Sequence, residues 1–497
     1  MLMGQVRKDS VLNTIITYTG IVLGYINKGL LFPFLLLPEQ VGLANVLPLI
    51  VGYFGQLSNF GANMILHRFI PFFRNSGKGF SGILVYTSAL LLIGIAVISG
   101  VLFLFSDTIF PYFSERSSML VSYAPWILPL GISVAFFSMF DYYLRAIEKN
   151  LFSIFLNDFV LRVLVFVSLC LYYLKFYDFE YFIVIFFSLH ILPCLFLIFY
   201  MIKIKRFYIS TKYFKISRKM QKLMFNYGIV VYFNGLGRTI ILMTDMIMLS
   251  AISGLKEVGI CTTMVFFSNA LYAPYTALMR ISSPYVSKFW KSRDMKALSD
   301  LYRKVSAVGF FITFSFFTVV WFNIDLVLSI LPDDYATGKY IFLFFMMGRL
   351  CDSIGGLNGD ILLYSKKYKM ELWTTIPMIG LILYLNYILI TLYDGLGAAI
   401  VFAIVFFLFN LIRLSFVYYF YRLHPFDTNF FKILTLAFVM FIAGFALISI
   451  TDGFLQIVIS LIVPLVLFIL PVYKLRWISD LSDYMDDVFR KIGILKT

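Results

Sequence analysis

Apolar stretches of about 20 residues recur from one end of the chain to the other, each closed off by a short polar connector. A helical run of that length crosses a hydrocarbon core of about 30 Å, whereas strands of a membrane barrel would be shorter and would alternate polar with apolar positions. The breaks predict fourteen spans: 12–36, 42–66, 83–105, 122–144, 151–174, 181–202, 225–250, 259–283, 305–324, 340–362, 372–391, 396–420, 433–450 and 454–473. The first follows Arg7, Lys8 and Asp9 but is too long for a signal sequence, and no small-residue cleavage site comes after it, so it reads as a mature helix. The expected fold is therefore all-α: a polytopic integral membrane protein.

Composition agrees with the pattern. Of 497 residues, 61% are hydrophobic and 13% charged, and the mean hydropathy is +0.90. Globular chains average about 45–50% apolar and about 25% charged, so no soluble core could absorb this much apolar surface. The net charge of +15 is distributed unevenly. With the N-terminus in the cytoplasm, thirty-one of the 41 Lys and Arg residues fall on inner connectors and tails, against four on outer ones: Arg116, Lys175, Lys256 and Lys339. Both termini are thus expected inside, and the charge is a topology signal that calls for no nucleic-acid partner.

The densest basic connector, KIKRFYISTKYFKISRKMQK at 203–222, holds eight basic residues and no acid. It reads as a topology determinant or as a hinge lying on the anionic inner leaflet, between two six-helix lobes. The expected domains are 1–222, the N-terminal lobe with that loop; 223–432, the C-terminal lobe; 433–473, two additional spans; and 474–497, a cytoplasmic amphipathic tail. The lobes resemble one another at their first outer turns, where Pro38-Glu39-Gln40-Val41-Gly42-Leu43 corresponds to Leu255-Lys256-Glu257-Val258-Gly259-Ile260 and Gly42 aligns with Gly259. Because each lobe holds an even number of spans, such repeats run parallel about an axis along the membrane normal, with a cavity between them.

No chemistry of bond making is visible. Cys170, Cys194, Cys261 and Cys351 all fall inside spans without CxxC spacing, and His67, His190 and His424 are scattered without ligand partners. No nucleophile and base pair or phosphate-cradling glycine loop occurs either, so neither catalysis, a metal nor a cofactor is expected.

Charges inside spans are costly and therefore point to a polar pathway. Six are basic, Lys28, Arg162, Arg238, Arg280, Arg349 and Arg413, and the acids near them include Asp158, Asp245 and Asp352. Asp158 and Arg162 are four apart and Arg349 and Asp352 three apart, spacings that suit intrahelical ion pairs. Arg280 and Arg413 lie near the inner surface, where Arg can snorkel. Arg238 and Asp245 are seven apart on one face, and the repeat sets Lys28 against Asp245. These three are the strongest candidates for lining the cavity. The basic excess argues for an anionic cargo, and amides such as Asn27, Asn59, Asn63, Asn269, Asn358 and Asn410 suit hydroxyl-bearing cargo as well as interhelical hydrogen bonds.

The stretch LPEQVGLANVLPLIVGYFGQLSNFGANMILHRFIP, 37–71, resembles the first outer turn and second helix of polysaccharide transporters in the multidrug/oligosaccharidyl-lipid/polysaccharide exporter superfamily, including Wzx-type O-antigen flippases. TDMIMLSAISGLKEVGICTTMVFFSNALYAPYTALMRISSPYVSKFW, 244–290, repeats the resemblance, with Asp245 at an acidic position common in the family. LPDDYATG at 331–338 is similar to the family's Gly-Glu-Glu-Tyr-like segment, with Pro332 where Gly is usual, and YDGLGAAIV at 393–401 to its Gly-x-x-Gly-Ala-Ala turn. The resemblance implies two six-helix lobes around a V-shaped cavity, two additional helices, and alternating access that carries a lipid-pyrophosphate-linked oligosaccharide across a bacterial inner membrane. It also implies membrane lipids and a coupling ion, proton or sodium, as partners, and cationic cavity residues that engage the cargo. The competing expectations are a cation or drug antiporter of the same superfamily and a membrane glycan polymerase. The basic excess and the fourteen spans speak against the first. The longest outer connector, about 16 residues, speaks against the second.

Overall fold

The structure is a computed structural model that describes residues 2–73, 80–205, 216–367, 369–448, 453–478, 482, 483 and 486. Each predicted span falls on a helix or on a bent series of helices. In chain order these are α1 (Leu2–Tyr25, running on through Ile26–Leu31 and Phe32–Leu35), α2 (Pro38–Ser58, resumed at Ala62–Phe69), α3 (Phe80–Leu104), α4 (Ile127–Ala146), α5 (Leu151–Ile154, Phe155–Val160 and Leu161–Tyr173) and α6 (Phe179–Lys203). They continue with α7 (Arg218–Ile252), α8 (Leu255–Ser292), α9 (Met295–Phe322) and α10 (Gly338–Gly355, resumed at Asn358–Tyr364). A long helix, Lys369–Tyr421, turns at Asp394 and so divides into α11 (369–393) and α12 (395–421); α13 is Thr428–Ile448 and α14 opens with Gly453–Pro464. Among the described residues nine helices are long and apolar enough to cross a membrane, ten if the bent pair of α10 counts as one span.

Local chemistry accounts for the breaks. Pro33 has no N–H to return to Gly29, and the turn before it, Ile26–Leu31, widens into a π-helix that holds Lys28. In α2 the chain reverses handedness at Phe60 and Gly61, where φ is 44° and 82°, and the Asn59 Oδ1 accepts the Asn63 N–H at 3.0 Å to cap the resumed helix. Gly356, with φ of 55°, permits the 50° bend in α10.

The chain forms two compact units, residues 1–263 and 264–497. The first has a core of Phe54, Leu66, Phe140, Leu144, Leu197 and Met201, and the second one of Val286, Leu298, Tyr302, Leu357, Ile361 and Val417. Large apolar side chains also cover the outside: Phe103 is 81% exposed, Trp373 72% and Tyr419 71%. A soluble monomer rarely tolerates such a surface, whereas lipid solvates it. Most of the tail predicted as an amphipathic helix, 474–497, and residues 206–215 of the basic connector lie outside the described residues.

Within the first unit, α2 and α7 are tied at several levels. Tyr53 meets Thr244 Oγ1 at 3.0 Å, Tyr232 donates to the Leu57 carbonyl at 2.8 Å, and the Arg68 guanidinium sits 4.2 Å over the Tyr227 ring. At the other end of α2 its first turn crosses that of α8. A Cβ on Gly42 would overlap the Leu255 carbonyl oxygen, and one on Gly259 would overlap that of Pro38. Gly42 and Gly259, like Pro38 and Leu255, are the repeat-related residues, so the crossing is reciprocal in the way a twofold contact is.

Candidate functional site

Lys28 sits in the π-helical turn of α1, where one extra residue per turn redirects side chains relative to an ordinary helix. Its Nζ donates to Asn45 Oδ1 at 3.2 Å, and Asn45 Nδ2 donates to Thr262 Oγ1 at 3.3 Å and to the Val41 carbonyl at 2.9 Å. Asn45 and Thr262 are 217 residues apart, the same offset that relates Gly42 to Gly259. A cation in a membrane-spanning helix is thereby joined to a line of hydrogen-bonding groups running from α1 through α2 to the first turns of α8. The sequence reading singled out Lys28 but missed Asn45 and Thr262. Applying the repeat offset to polar residues, and not to the turn alone, would have found them.

Asp245 is half-buried on α7, and its Oδ1 accepts the Met246 N–H at 2.9 Å. Arg238 lies on the same helix, and its side chain is outside the described residues.

The expected Asp158–Arg162 ion pair does not form. Asp158 lies in a second π-helical stretch, Phe155–Val160, and the wider turn takes residue 162 out of the register that four residues of α-helix would give. Asp158 accepts instead from Asn157 Nδ2 at 3.0 Å. α5 approaches α1 closely at this level, with the Asp158 carbonyl against Gly20, the Arg162 guanidinium against Gly24, and Asn27 Nδ2 donating to the Arg162 carbonyl at 2.8 Å. Small residues at 20 and 24 permit that approach.

In the second unit the expected Arg349–Asp352 pair is also absent. Arg349 Nη2 donates to Asn269 Oδ1 at 2.6 Å, and its guanidinium lies 4.8, 5.0 and 5.6 Å from the rings of Tyr272, Phe402 and Phe406. Asp352 accepts from the Tyr272 hydroxyl and, at 3.1 Å, from Asn410 Nδ2. Arg413 does not snorkel alone: it forms an ion pair with Glu371, its Nε 3.2 Å from Oε2, and stacks 3.7 Å from the Phe409 ring. That partner, 42 residues away, has no signal in local spacing. Arg280 is exposed on α8 and makes no ion pair among the described residues. The predicted residues thus divide between the units: Lys28, Asp158, Arg162 and Asp245 lie in the first, and Arg349, Asp352 and Arg413 in the second. No group of three or more His, Cys, Asp or Glu residues able to hold a metal occurs among the described residues.

No family model matches the sequence. No curated protein matches it either. Solved structures do. Lipid II flippase MurJ in an inward closed conformation superposes with a TM-score of 0.71 at 17% identity, covering 94% of this chain and 99% of the other. An inward-facing multidrug resistance MATE family transporter of the MOP superfamily gives 0.62 at 16% identity, over 81% and 96%. A MOP superfamily transporter from Pyrococcus furiosus, described as having a binding pocket of reversed polarity, gives 0.55 at 15%, over 82% and 94%. The chain is a multi-pass membrane protein with the fold of these transporters.

Proposed function

We propose that this protein is a flippase that moves a lipid-pyrophosphate-linked oligosaccharide, an O-antigen unit or a related surface glycan, from the inner to the outer leaflet by alternating access. It would work in a bacterial inner membrane with both termini cytoplasmic. The observation that carries the reading is the polar line from Lys28 through Asn45 to Thr262. The Lys28 ammonium donates to a neutral amide oxygen, and a pyrophosphate oxygen can take the place of that amide with a charge-assisted bond. The amide and hydroxyl beside it suit sugar hydroxyls. Arg238 and Asp245 complete the proposed pathway, with Asp245 balancing Lys28 when no cargo is bound, so that anionic cargo separates two states of differing affinity. The fold likeness to a lipid II flippase over nearly the whole of both chains supports the same class of cargo.

The test is translocation of a fluorescent undecaprenyl-pyrophosphate-linked glycan in proteoliposomes. The wild type should move it, and Lys28→Ala should abolish movement while inserting normally. Absence of movement together with proton- or sodium-driven export of an organic cation would replace this reading with that of an antiporter.

A further inference from the structure

Arg349 and Asp352 are three residues apart on α10, close enough in sequence to neutralise one another, and the fold keeps them from doing so. Tyr272 of α8 stands between their two environments. One face of its ring lies 4.8 Å from the guanidinium, and its hydroxyl donates to Asp352 Oδ2. Asn410 of α12 occupies the other carboxylate oxygen. Arg349 is left with one amide acceptor, Asn269, which satisfies a single N–H and neutralises no charge. Its Nε is buried and has no acceptor.

A guanidinium in a membrane-spanning helix without a carboxylate is costly, and the cost is avoidable here because an acid lies one turn away. Aromatic walls stabilise the cation but accept none of its remaining hydrogen bonds. An oxyanion bound at the guanidinium's terminal N–H groups would supply the missing charge, and the apolar walls would strengthen the contact by excluding water. We propose that Arg349 is an oxyanion subsite for the cargo, and that Tyr272 is the positioning residue that keeps it open by holding Asp352 away. The proposal rests on the reading of the protein as a carrier of anionic lipid-linked cargo, and it adds a second recognition point in the second unit. The oxyanion is a phosphate of the lipid headgroup or a carboxylate of an acidic sugar.

Binding to the purified full-length protein in nanodiscs tests this, with farnesyl pyrophosphate as the phosphate probe, tetraglucuronate as the carboxylate probe and maltotetraose as the neutral control. Arg349→Gln should weaken one charged probe about ten- to a hundredfold, the loss of a charge-assisted bond, and the affected probe identifies which oxyanion is read. Tyr272→Phe should weaken the same probe comparably, because the released Asp352 pairs with Arg349. Tyr272→Phe combined with Asp352→Asn should recover affinity to within about twofold of wild type, since no acid then competes. That rescue separates positioning from mere packing, which the second substitution would worsen. Unchanged binding of both charged probes by Arg349→Gln, or failure of the double variant to recover, overturns the proposal. If Lys28→Ala loses farnesyl pyrophosphate while Arg349→Gln loses nothing, the flippase reading stands and only this subsite falls. If the wild type binds neither charged probe, both fall.

Discussion

The reciprocal crossing of α2 and α8 makes a sharp prediction about Gly42→Ala and Gly259→Ala. A Cβ on Gly42 would stand 2.8 Å from the carbonyl carbon and 3.1 Å from the Cα of Leu255, and one on Gly259 2.7 and 3.1 Å from the same atoms of Pro38. Carbon atoms pack at about 3.5–4.0 Å, so backbone must withdraw by more than half an ångström in either variant, and backbone cannot rotate aside as a side chain can. Forced overpacking of this kind costs about 1–3 kcal/mol. Against it stands the helix propensity gain of Gly to Ala, about 1 kcal/mol, which is measured separately at Gly52 on the same helix, where an added Cβ meets nothing within 4 Å. Gly52→Ala should therefore raise stability slightly, and Gly42→Ala and Gly259→Ala should each lie about 1–3 kcal/mol below it. The two should match each other, because the geometry is the same on both sides. The double variant should cost less than the sum, since one opened crossing relieves both contacts. Unfolding in detergent by SDS titration, followed by tryptophan fluorescence, reads these differences. Gly259→Ala as stable as Gly52→Ala would refute the close crossing, and a large inequality between Gly42→Ala and Gly259→Ala would refute its reciprocity.

Three further outcomes are expected. Impermeant maleimide applied to intact cells should label a cysteine placed at 257 or 334 but label one at 212 only after permeabilisation, as the basic bias of the inner connectors requires; labelling of 212 from outside would reverse the topology. Glu371→Gln should lower stability by about 1–3 kcal/mol, between the values for exposed and buried ion pairs, because both partners are about one-fifth exposed. The exchange Glu371→Arg with Arg413→Glu should recover more than half of that loss, and no recovery would mean that the stacking on Phe409 holds Arg413 by itself. Finally, lipid-linked glycan recovered after transport should have unchanged mass by mass spectrometry, and a lengthened or hydrolysed product made by the purified protein alone would contradict a purely translocating role.

The fold was legible because lipid simplifies the code. A backbone crossing hydrocarbon must satisfy its own hydrogen bonds, so about 20 apolar residues in a row can only be a helix, and each of the fourteen predicted spans falls on one or on a bent series. The turn at Phe60 and Gly61 was not predicted, since it falls inside one apolar run and depends on backbone conformations that hydropathy does not register.

The ionisable residues divide differently. Their presence in spans was plain in the sequence, and so was the repeat that aligns Gly42 with Gly259. Pairings inferred from spacing failed. Asp158 and Arg162 were taken out of register by a π-helical turn, and Arg349 and Asp352 were separated by Tyr272, which approaches from 80 residues away. Arg413 found Glu371 by the folding back of another helix. Periodicity reports which residues share a helix face only while the helix is regular, and it says nothing about what a neighbouring helix brings to that face. The sequence by itself determined that the chain is a polytopic all-helical membrane protein and which charges must be accounted for. Only the tertiary structure decided which side chains those charges meet, because that depends on contacts among helices distant in the chain.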